Sequence, residues 1–86
     1  MKDLNMHTIE MALNMLRIGH LIECEIVPSD KKAGAYNVVT IAQQGQGGDR
    51  YLVTDDAGRV IECSTSYAKS VATRIGFQDA QIKTTS

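Results

Sequence analysis

The stretch from Arg50 to Phe77, RYLVTDDAGRVIECSTSYAKSVATRIGF, leaves a chain this short few choices of fold. Tyr51, Leu52, Val53 and Thr54 are the aromatic, large and β-branched residues that a half-buried strand prefers. Asp55-Asp56-Ala57-Gly58 then supplies turn chemistry: Asp opens a type I turn, and glycine takes the left-handed residue that closes it. Val60 to Cys63 reads as the returning strand of a hairpin. Ser64, Thr65 and Ser66 are candidate helix N-caps. Behind them Ala68, Val71, Ala72 and Ile75 fall at i, i+3, i+4 and i+7, one apolar stripe. Gly76 stands where a helix ends in a left-handed residue, and Phe77 where a hydrophobic side chain folds back on the last turn.

Residues 4–18 read as a first helix, capped by Asp3 or Asn5 and ended by Gly19. At about 100° per residue, Arg17, Glu10, Asn14 and His7 share a polar arc of roughly 80°. The apolar remainder, with Met11, Met15 and Ile18 at one edge, spans roughly 240°, where a stripe of about 100° suffices for a surface helix. One sheet cannot shelter so wide an arc, which predicts a second protein against it. Ile22, Cys24 and Ile26 alternate with Glu23 and Glu25 as an inward-outward strand, stopped by Pro28. Residues 35–42 form the next strand, with Tyr36, Val38 and Thr40 on one face and Asn37, Val39 and Ile41 on the other. The segment QQGQGG (43–48) reads as a hairpin tip. The expected fold is one α+β domain spanning residues 1–86, in the order α-β-β-β-β-α. Its antiparallel sheet has four strands, or five if residues 79–83 add an edge strand through Ala80 and Ile82. Both helices pack on one face, and residues 84–86 fray.

Eighty-six residues make one domain with a modest core. A net charge of −1 argues against recognition of nucleic acid or acidic membrane by bulk charge. No apolar run approaches the length of a membrane span. The N-terminus lacks the apolar core of a secretory signal, so two reduced cysteines in a cytoplasm are expected.

No constellation of acid, base and nucleophile stands out, and the chain reads as non-enzymatic. Cys24 and Cys63 share strand parity with Ile22 and Ile61 and act as small buried hydrophobes. Without CxxC or HxxxH there is no zinc signature, and neither metal nor cofactor is expected. His20 follows the helix-ending Gly19, where a cation favours the helix dipole; His7, on the polar arc, is solvated. Asp55 and Asp56 are explained by their turn. QQGQGG lacks GK[ST] and enters a strand, unlike a phosphate loop. Lys31, Lys32, Lys69, Arg74 and Lys83 are interleaved with acids, as on a solvated surface.

Ser66-Tyr67-Ala68-Lys69-Ser70-Val71-Ala72 resembles the SKKxAKxxA helix start of the double-stranded-RNA-binding domain, whose helix–strands–helix order is also similar. Tyr67 replaces one of that family's lysines, and the resemblance implies RNA binding only as an alternative. The Tyr51–Phe77 stretch is also similar to the hairpin-plus-helix halves of several small bacterial, plasmid and phage families, a likeness that implies no activity. The function expected first is a protein-interaction module, homodimeric through the first helix (Met11, Met15, Ile18) or an outer sheet face (Tyr36, Val38). A small-molecule binder with a pocket between helix and sheet is the other alternative.

Overall fold

The computed structural model describes residues 5–42 and 50–85. The chain begins with a strand. In order, the elements are β1 (Asn5–Thr8), α1 (Ile9–Arg17), β2 (Leu21–Pro28), β3 (Tyr36–Ala42), β4 (Arg50–Thr54), α2 (Thr65–Ile75), a 3-10 turn (Asp79–Gln81) and β5 (Ile82–Thr84). The five strands form one mixed sheet in the order β1-β4-β3-β2-β5. β1 pairs parallel with β4 and β5 parallel with β2, while β3 is antiparallel to both of its neighbours. So β3 alone runs one way. The fold is α+β, as expected, but neither wholly antiparallel nor helix-first. Parallel partners leave no local trace such as a tight turn: α1, β2 and β3 separate β1 from β4, and β3, β4 and α2 separate β2 from β5.

The first helix is shorter than residues 4–18 because Thr8 caps it. The Thr8 hydroxyl accepts from the Met11 N–H, 3.2 Å away. Of the two caps expected, Asn5 lies in β1 instead, and Asp3 is outside the described residues. α2 starts as expected, with the Ser64 hydroxyl accepting from the Tyr67 N–H. It also ends as expected. Gly76 has a φ of 123°, and the N–H groups of Gly76 and Phe77 both donate to the Ala72 carbonyl.

Three strand expectations change. Ile22 faces outward, 44% exposed, because a register irregularity between Leu21 and Glu23 turns Leu21 inward instead. Val60 to Cys63 is not a full strand. It is wedged at the diverging ends of β3 and β4, and bridges each once, Tyr36 to Cys63 and Thr54 to Val60. The Asn37 amide donates to the Ile61 carbonyl and holds it there. Residues 84 and 85 are tied down, for the Thr85 N–H donates to the Ile26 carbonyl at 2.8 Å. The QQGQGG segment expected as a hairpin tip lies outside the described residues.

Both helices cover one face of the sheet. Ala12 of α1 and Ala68, Val71, Ala72 and Ile75 of α2 close over Leu21, Cys24, Ile26, Val38 and Val53. Small residues on the helices let the backbones approach the sheet closely. The opposite face is bound by ion pairs across strands, Arg50 to Glu25 and Lys83 to Glu23, each at 2.6 Å.

Candidate functional site

Among the described residues the outward side of α1 carries the clearest unpartnered surface. Ile18, at the helix C-cap, is 75% exposed and Met11 52%, while Met15 is half-buried against the core. The three positions fall within about 60° of one another on the helix, a single ridge. Arg17, Glu10 and Asn14 all border the same edge of that ridge and are exposed. Glu10 stands in the first turn and Arg17 in the last, each matched in sign to the helix dipole.

The outer sheet face is different. Val38 is fully buried beneath the helices and Tyr36 packs half-buried beside the core, so neither belongs to that face. Val38 therefore has no surface to offer a partner. The outer face instead presents the parity of Asn37, Val39 and Ile41. Val39 there is only 1% exposed, hidden among neighbours that include Glu25 and Leu52 in register with it.

His7 is not solvated. It lies on β1, 3% exposed, with its ring stacked on Tyr51 at 4.8 Å between centroids and 6° between planes. Its Nε2 is 3.0 Å from the Thr40 hydroxyl. Among the described residues its Nδ1 has no hydrogen-bond partner. Burial pushes the imidazole below its ordinary value. The helical wheel missed this because His7 precedes the helix. The signal available was Thr8, a capping residue immediately before Ile9.

β1 and β4 run in the same direction, and both helices begin at the end of the sheet where those strands finish. A cleft of about 520 Å³ opens there, with Ile9, Ile61, Cys63 and Tyr67 among its walls. Its charges are Lys32, Arg59 and Arg74 against Asp55, Asp56 and Glu62, three of each sign, so it favours neither anions nor cations. Asp55 is engaged in its turn, accepting from the N–H groups of Ala57 and Arg59, and the Arg59 N–H foremost holds its carboxyl below the usual value. Glu62 accepts from the Ser29 hydroxyl.

Both cysteines are free thiols. Cys24 is fully buried, and burial with the neighbouring Glu25 charge pushes it up to about 12. Burial also raises Cys63. Neither is a ready thiolate nucleophile. His20 is exposed, and its N–H donates to the Met15 carbonyl, closing the turn after α1. Among the described residues no group of three or more His, Cys, Asp or Glu side chains is placed to hold a metal, and no helix is long and apolar enough to cross a membrane. No protein-family model, curated protein or solved structure matches the chain.

Proposed function

We propose that the protein is a non-enzymatic interaction module that forms a homodimer through α1, two copies of the helix packing antiparallel. The observation that carries this reading is the ridge of Met11, Met15 and Ile18, bordered on one edge by Glu10 and Arg17. In an antiparallel pair related by a two-fold axis, like edges meet and opposite ends coincide. Met11 then faces Ile18 of the second copy, and Glu10 faces its Arg17. The helix is thus complementary to itself in shape and in charge, as an isologous interface requires. In a parallel two-fold pairing the polar edges of the two copies fall on opposite sides of the seam, so Glu10 does not meet Arg17 and that match is lost.

The test is size-exclusion chromatography with light scattering. Ile18→Glu and Met11→Glu should give monomers that keep their circular dichroism. Glu10→Arg and Arg17→Glu should each weaken the dimer, and the double exchange should recover most of the loss. A monomeric parent protein at its highest soluble concentration refutes the reading. A double exchange no tighter than its singles refutes the antiparallel geometry.

A further inference from the structure

We propose that His7 is a proton-operated latch for β1: taking up a proton on its imidazole releases Asn5–Thr8 from the edge of β4. Among the described residues β1 is a four-residue edge strand paired only with β4. Asn5 and Met6 are exposed, and His7 is the one residue of β1 that is buried. Its hold depends on the neutral ring. Neutral imidazole lies flat against Tyr51 and shares one hydrogen bond with Thr40. The imidazolium has two N–H donors, and no acceptor faces Nδ1 among the described residues. A buried charge with an unmet donor is unfavourable, whereas the released strand can hydrate both.

The surrounding charges do not compensate. On the helix-covered face, β4 contributes Tyr51, β3 contributes Tyr36 and β2 contributes the Cys24 thiol. Arg50, Glu25, Glu23 and Lys83 pair with one another on the other face. Glu10 and Arg17 of α1, and Lys69 and Arg74 of α2, are exposed. Among the described residues no carboxylate stands by to stabilise the imidazolium.

The sign follows from linkage. The docked ring has its value lowered from the ordinary 6.5, so the released strand binds the proton more tightly than the docked one. The latch holds fully above 6.5 and weakens as pH falls from 6.5 to the docked value.

Amide hydrogen exchange by NMR, corrected for the intrinsic rate, reads this directly. Protection of the β1 amides should fall by up to about ten-fold per pH unit in that window, while amides in the β2–β3 ladder hold. In His7→Phe, which keeps a stacking ring but cannot titrate, β1 protection should stay flat. Flat protection in the parent protein overturns the proposal, and so does an equal fall in His7→Phe. If that variant does not fold, the ring resonances of His7 in the parent protein decide. A midpoint below 6.5, moving with β1 protection, supports the latch. A midpoint at or above 6.5 overturns it.

Discussion

At position 76 the backbone and its neighbour agree on glycine. The φ of 123° is one that side chains rarely adopt, and an added Cβ would come within 3.1 Å of Leu16 Cδ2 on the other helix. Gly58 shares the positive φ, at 85°, but has open space around it. Gly76→Ala should therefore cost about 2 kcal/mol or more and Gly58→Ala about 1 kcal/mol, measured by urea denaturation. The need for a left-handed residue at 76 is legible in the sequence, as Gly-Phe after an apolar stripe. The Leu16 contact is not, because it arises only when the two helices are placed together. Cysteine chemistry behaves likewise. Alternation marks both thiols as inward, yet only the fold separates Cys24, fully buried, from half-buried Cys63. A thiol reagent at pH 8 should label Cys63 in the native state and reach Cys24 only on unfolding, as peptide mass spectrometry would record.

Elements were legible where several local signals coincided. α2 has a cap, a stripe and a stop, and it runs Thr65–Ile75 as those signals indicate. Ser64→Ala should lower stability by ~1 kcal/mol, seen in thermal melts, because the Tyr67 N–H loses its acceptor. β1 was hidden because four residues are too few to show a period of two, and Met6 and Ile9 fit helical spacing just as well. The inward turn of Leu21 was hidden because a bulge shifts parity without changing composition. Residues 60–63 have strand composition, but they have only the splayed ends of β3 and β4 to bridge. Of the surface proposed for self-pairing, Met11, Met15 and Ile18 could be named from the wheel. Tyr36 and Val38 could not be assigned a face, since both faces of β3 are apolar and only the helices decide which is covered.

On the scale of the molecule, a small core makes the stability gained from any association easy to detect. If α1 pairs as proposed, the melting temperature should rise with protein concentration, by mass action, and Ile18→Glu should abolish that dependence. Differential scanning calorimetry over a range of concentrations tests it. The sheet order also has a bearing on synthesis. The first strand docks beside one that lies more than half the chain away, Asn5 against Tyr51, and such distant pairings form late. Until the ribosome has made β4, β1 has no neighbour to dock on. Any chaperone that scans a nascent chain meets Met6 and His7 in the open, before their place in the sheet exists.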